Sequence, residues 1–189
     1  SKLIHEVVDG DQLTEMDFNQ FFLLLSVAGN ETTRNVLSHG MAAFLANPDQ
    51  YRLLLEDPSL IDSAVEEILR WASPVMFFRR NVTTDTEYEG HHLKAGDKVS
   101  LWYISANRDE SVFDDPYRFD ITRDPNPHIA FGGGGPHFCL GANLARMEIR
   151  LLFQALVDRA PNIEQLGEPE RLRSNFINGI KHLPVRLSR

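Results

Sequence analysis

The chain has 189 residues, 42% of them hydrophobic and 24% charged, with a formal net charge of −8, the make-up of an ordinary globular domain with a sizeable core. The acidic balance and the absence of a basic stripe exclude nucleic acid as a partner. One cysteine permits no internal disulfide, and no apolar run approaches the roughly 18 residues of a spanning helix, so the segment holds no membrane anchor and a cytoplasmic setting is expected.

Thr14, with Asp17 three residues later, resembles a capping box and opens a helix whose pattern continues over about 14–46. Within it Phe21, Phe22, Leu23, Leu24, Leu25, Val27 and Ala28 are apolar on every face, which predicts a buried central helix. Asn47-Pro48 offers an N-cap and a proline at the first helical position for a short helix through Leu55, and Asp57-Pro58-Ser59 breaks it. A further helix over about 60–72 stops before Pro74. The character then changes. Arg80 to Tyr88 and Lys98 to Tyr103 carry β-branched and aromatic residues, with turn residues at Glu89-Gly90 and Ala95-Gly96-Asp97, so a small antiparallel sheet is expected within about 75–104. His91 and His92 follow a turn, lack metal-ligand spacing and read as surface residues.

Asn107 to Asn126 has little periodicity and predicts a long coil, a feature usually tied to function. A loop over 128–141 follows, then an amphipathic helix over about 141–158. Asn178-Gly179 predicts a terminal hairpin over about 176–187. The fold class expected is mainly α with small β-sheets.

Chemistry concentrates at the one cysteine, Cys139. It follows four successive glycines, Gly132 to Gly135, and precedes the last long helix. Glycines let backbone approach a large flat group, and their N–H groups together with the helix N-terminus favour an anion. A thiolate held there is a nucleophile or a metal ligand. The bland alternative is an inert thiol in a glycine turn. A phosphate loop would want Lys-Ser or Lys-Thr after the glycines, and neither is present. A papain-like nucleophile would want a supported downstream His, and His182 has no such pattern.

The segment from Phe131-Gly132-Gly133 through Cys139-Leu140-Gly141 resembles the haem-binding loop of the cytochrome P450 family, Phe-x-x-Gly-x-His/Arg-x-Cys-x-Gly. His137, Gly135 and Gly141 match, and Phe131 stands one residue further from Cys139 than that pattern has it. Two further motifs occur in the family's order. Ala28-Gly29-Asn30-Glu31-Thr32-Thr33 resembles the distal-helix motif, and Glu67-x-x-Arg70 resembles the Glu-x-x-Arg motif, with Arg118 of Pro116-Tyr117-Arg118-Phe119 as its expected third member.

The resemblance implies the C-terminal, haem-binding half of the cytochrome P450 fold, with the N-terminal helices absent. It implies haem b as cofactor and Cys139 as its metal ligand, with Phe131, Gly133, His137 and Gly141 around it and Arg80 and His128 at the propionates. It implies Glu31 and Thr32 as catalytic residues that pass protons, and Val75, Met76, Phe77 and Ile177 as substrate walls. The activity implied is that of a bacterial monooxygenase placing one atom of dioxygen into a lipophilic molecule. Electrons would come from NAD(P)H through a reductase and a ferredoxin. Ala28 to Asn35, Asn126 to Met147 and Glu170 to Lys181 resemble actinobacterial members acting on sterol side chains or branched lipids. The rivals are a haem-thiolate binding or sensor protein and a hydroperoxide-using peroxygenase. Alone, the chain is expected to be inactive.

Overall fold

The fold is described from a computed structural model covering residues 7, 8 and 10–188. A short ribbon of β1 (Val7–Val8) and β2 (Asp11–Gln12) leads into α1 (Glu15–Ala46). The predicted capping box forms at its head: Thr14 Oγ1 accepts the Asp17 N–H at 3.1 Å, and the Asp17 carboxylate accepts the Thr14 N–H at 3.3 Å. Asn47 does something other than expected at the far end. Its side-chain amide donates back to the Ala43 carbonyl at 2.8 Å, closing α1 instead of capping α2 (Pro48–Glu56). Asp57 caps a 3-10 turn, and α3 (Ile61–Ala72) follows. It ends at Ser73, whose left-handed φ of 38° turns the chain.

The core lies where the C-terminal half of α1 meets α3 and the last helix, α5 (Ala142–Arg159). Gly40 sits at that crossing. A β-carbon there would stand 2.8 Å from both Ile68 and Phe153, which are buried, so only glycine allows the approach. The Phe44 ring packs at 5.3–5.4 Å on Tyr51, Phe119 and Phe153, close to the edge-to-face arrangement that aromatic rings favour.

The N-terminal half of α1 departs from the expected burial. Phe22, Leu23, Leu24 and Val27 are 57–64% exposed. Every buried residue of α1 falls between Thr33 and Phe44. The all-round apolar pattern is real, but nothing in the described residues covers it.

The β-structure is a set of two-stranded antiparallel ribbons. β3 (Phe77–Asn81) pairs with β6 (Lys98–Trp102), and β4 (Thr86–Tyr88) pairs with β5 (His91–Leu93) across Glu89-Gly90. A short α4 (Tyr103–Ala106) precedes 35 residues, 107–141, without a regular element. β7 (Asn162–Gln165) pairs with β10 (Val185–Ser188), and β8 (Glu170–Arg171) pairs with β9 (Ile180–His182).

The terminal segment is therefore not the hairpin expected around Asn178-Gly179. A tight Asn-Gly turn of the favoured type needs positive φ at both residues, and neither has it. Asn178 instead bonds backward. Its N–H donates to the Pro74 carbonyl and its amide to the Ala72 carbonyl, at 2.9 and 2.7 Å.

Candidate functional site

Cys139 is exposed at the mouth of the last helix, two residues before the cap at Gly141. The loop that presents it needs glycine for backbone reasons. Gly132, Gly134 and Gly135 have φ of 92°, 96° and 77°, a region that other residues rarely occupy. A β-carbon at Gly133, Gly134 or Gly135 would meet no atom within 4 Å, so one side of the loop is open. The Cys139 N–H donates to the Phe131 carbonyl at 3.0 Å, which closes the loop on itself. Phe131 thus stays beside the cysteine despite the extra residue between them. His137 is exposed.

The coil before this loop is held by α3. Glu67 and Arg70 are fully buried and form a two-bond pair, each contact 2.7 Å. Arg70 uses all five of its N–H groups, giving the others to the carbonyls of Asn107, Pro116 and Arg118. Glu67 also accepts the Asp120 N–H and the Asn126 amide. The expected third member, the Arg118 side chain, points away: it is 61% exposed and lies 3.8 Å from Asp120. Arg123 takes the place beside Glu67, its Nε 3.3 Å from the carboxylate and its side chain 10% exposed. Its guanidinium also gathers the carbonyls of Asp114, Asp115 and Arg118. Buried Asn107 completes the brace, donating to Ser73 Oγ at 2.9 Å and accepting the Ile129 N–H at 2.8 Å.

His128 enters the loop from this brace. Its Nε2 lies 2.9 Å from Glu66, and its Nδ1 accepts the Ala130 N–H at 3.2 Å. Both ring nitrogens are engaged within the protein, so a propionate contact would require one of these bonds to open. Glu66 also receives Arg146 of α5 at 2.6 and 2.9 Å. Burial pushes the Glu66 carboxyl up, yet hydrogen bonds and charge from His128 and Arg146 hold it down at about 2. Arg80, on β3, is exposed and bonds to the Arg79 carbonyl.

The two proposed proton-handling residues lie on α1. Thr32 Oγ1 donates to the Ala28 carbonyl at 2.6 Å, the back-bond common for a helical threonine. Glu31 is exposed and pairs with Arg34 at 2.7 Å. The expected wall residues do come together. Val75 bridges Ile177 in antiparallel fashion, the Met76 N–H donates to the Phe176 carbonyl at 2.9 Å, and the Phe77 ring lies 5.9 Å from that of Phe176.

Residues 2–160 match the family described as Cytochrome P450. The methyl-branched lipid omega-hydroxylase of Mycobacterium tuberculosis is 55% identical over 186 residues, covering 98% of this chain and 44% of that protein. The chain belongs to the cytochrome P450 family. The steroid C26-monooxygenase of Mycolicibacterium smegmatis is 50% identical over 185 residues, covering 98% of this chain and 43% of that protein. Among solved structures, a Mycobacterium marinum cytochrome P450 in complex with pseudoionone matches at a TM-score of 0.92 and 47% identity, covering 97% of this chain and 44% of that one. The chain spans less than half the length of these relatives.

Family membership implies a haem cofactor, and the residues present fit one. They offer one exposed thiol on a loop where β-carbons at Gly133, Gly134 and Gly135 would meet no atom within 4 Å, and an apolar stretch of α1 that no described residue covers. No group of three or more His, Cys, Asp or Glu among the described residues could hold a bare ion instead. No described helix is long and apolar enough to cross a membrane. Sequence reasoning missed Arg123, Glu66 and Arg146. Arg123 stands in irregular coil, where spacing says nothing about direction, and Glu66 and Arg146 meet across 80 positions of chain.

Proposed function

We propose that the chain is the haem-ligating part of a bacterial, cytoplasmic monooxygenase that hydroxylates a lipophilic substrate, a branched lipid or a sterol. The observation that carries this reading is Cys139: one exposed thiol, in a loop of positive-φ glycines, at the head of a long helix. A haem iron bound through this thiolate would activate dioxygen for insertion into an unactivated C–H bond. Phe131, Gly133, His137 and Gly141 would line the cofactor's edge, and Arg80 would carry a guanidinium to a propionate. Electrons would reach it from NAD(P)H through a reductase and a ferredoxin.

Thr32 and Glu31 serve proton delivery. With its hydrogen committed to Ala28, Thr32 Oγ1 offers lone pairs that orient a water. The Glu31 carboxylate, exposed and tied only to Arg34, can draw a proton from solvent and pass it to that water. Val75, Met76, Phe77 and Ile177 form an apolar wall that would bind an alkyl chain and exclude water. The lipid and steroid relatives support this substrate class. In the isolated 189-residue chain, the uncovered half of α1 leaves the haem side open, so haem is held weakly and turnover is absent.

The test is the absorption spectrum of the reduced, CO-bound form of the full-length protein that carries this chain. A red-shifted, thiolate-type Soret band that disappears in Cys139→Ser is expected. An imidazole-type band in the unmodified protein would overturn the assignment.

A further inference from the structure

Glu67 and its neighbour Glu66 leave α3 in different directions and hold different parts of the chain. Glu67 braces the long coil. Glu66 has no part in that brace. It grips the cysteine loop from both ends: His128 stands eleven residues before Cys139, and Arg146 stands seven after it. Arg146 takes both carboxylate oxygens of Glu66, at 2.6 and 2.9 Å, so its guanidinium is fixed in plane and direction. In that orientation its Cζ stands 4.6 Å from the centroid of the Phe131 ring, within the range of a cation–π contact. Phe131 is the residue whose carbonyl accepts the Cys139 N–H. An unbroken chain of contacts therefore runs from α3 to the sulfur-bearing residue: Glu66, Arg146, Phe131, Cys139.

The geometry points to Glu66 and Arg146 as positioning residues for Cys139, Glu66 locking the Arg146 guanidinium over Phe131 and so fixing the loop that presents the sulfur. This rests on the reading of Cys139 as the haem ligand, although the loop geometry itself does not require haem. The extra residue between Phe131 and Cys139 gives the device a purpose. A longer glycine loop has more backbone freedom to lose, and a clamp on Phe131 removes some of it from outside the loop. Charge alone would not do this. A lysine at 146 would keep the charge but lose the fork and the flat face.

Hydrogen exchange of the 128–141 segment in the 189-residue chain tests the clamp without cofactor. Glu66→Gln and Arg146→Lys should each speed exchange there by about tenfold, the ratio for losing one charge-assisted hydrogen bond. The double variant should add little beyond either. Exchange in 61–72 should stay as it was. Arg150→Gln, which cuts the exposed Arg150–Asp62 pair between the same two helices, should leave the loop unchanged. Unchanged loop exchange in Glu66→Gln and Arg146→Lys, or an equal rise throughout 61–72, would overturn the proposal.

In the haem-loaded full-length protein, Arg146→Lys should lower the fraction of thiolate-type CO band as far as Arg146→Ala does. If lysine restores the wild-type band, the effect is one of charge, and the positioning role fails. If instead Cys139→Ser leaves the band unmoved, the ligand reading fails while the exchange result stands by itself.

Discussion

The arginine that completes the buried brace shows what single side chains do here. Arg70 has no unsatisfied donor, and Glu67 meets it with two 2.7 Å contacts in a site without water access. Such a pair is weak evidence of net stability, because both charges had to leave water. Removing one partner is the costly event. Arg123 lies against the same carboxylate with its side chain 10% exposed and also carries three backbone carbonyls, whereas Arg118 reaches into solvent. We therefore expect Arg123→Ala to lower the unfolding free energy by about 2–4 kcal/mol and Arg118→Ala by less than about 0.5 kcal/mol. Urea denaturation of the two variants checks it. A larger loss from Arg118→Ala would return that side chain to the triad.

Elements are joined by polar groups as much as by the core. His39 of α1 is 5% exposed and its Nε2 lies 3.0 Å from the Asn178 carbonyl, so one buried ring ties the central helix to the terminal segment. Burial chiefly, then the charge of Arg171, lowers its pKa from 6.5 to about 4, against a smaller raising effect of the Asn178 carbonyl. The folded state therefore keeps His39 neutral at pH values where the unfolded chain has already taken a proton. Its contribution is complete above the unfolded value of 6.5 and is lost as pH falls toward 4, a loss of about 3 kcal/mol in all. Glu66, held at about 2, gives up its own share only below the ordinary 4.5. Unfolding free energy measured from about pH 7 to about pH 5 should fall, and His39→Gln should flatten that slope. An unchanged slope in the variant would assign the pH dependence elsewhere.

At this scale the sequence was legible where local rules decide. The capping box at Thr14, the stop at Ser73-Pro74 and the glycine loop before Cys139 follow from backbone preference. Asn47 and Asn178 misled because each amide has a choice of backbone partners: Asn47 takes the Ala43 carbonyl one turn back in its own helix, and Asn178 takes the distant Ala72 carbonyl. Arg123, Glu66 and Arg146 became visible only once α3 brought distant coil and helix to its two neighbouring carboxylates.

At the scale of the whole molecule, the N-terminal half of α1 is an unbalanced surface. Phe22, Leu23, Leu24 and Val27 make a contiguous apolar run on α1 that is more than half exposed. Soluble monomers rarely leave such a patch uncovered. The same residues read from sequence as buried, yet among the described residues nothing covers them, and the chain spans 44% of the lipid hydroxylase relative. The consequence for the isolated chain is association driven by apolar area, with each large side chain removed from water contributing about 1.5–3 kcal/mol. Sedimentation velocity across a concentration series should show mass rising with concentration. Leu23→Glu with Leu24→Glu should bring the chain back toward a monomer, since a buried unpaired carboxylate at each position opposes contact. These changes lie outside the buried part of α1, so the helical circular dichroism should be retained. A concentration-independent monomer in the unmodified chain would mean that this face is covered from within, and the uncovered haem side argued from it would fall with it.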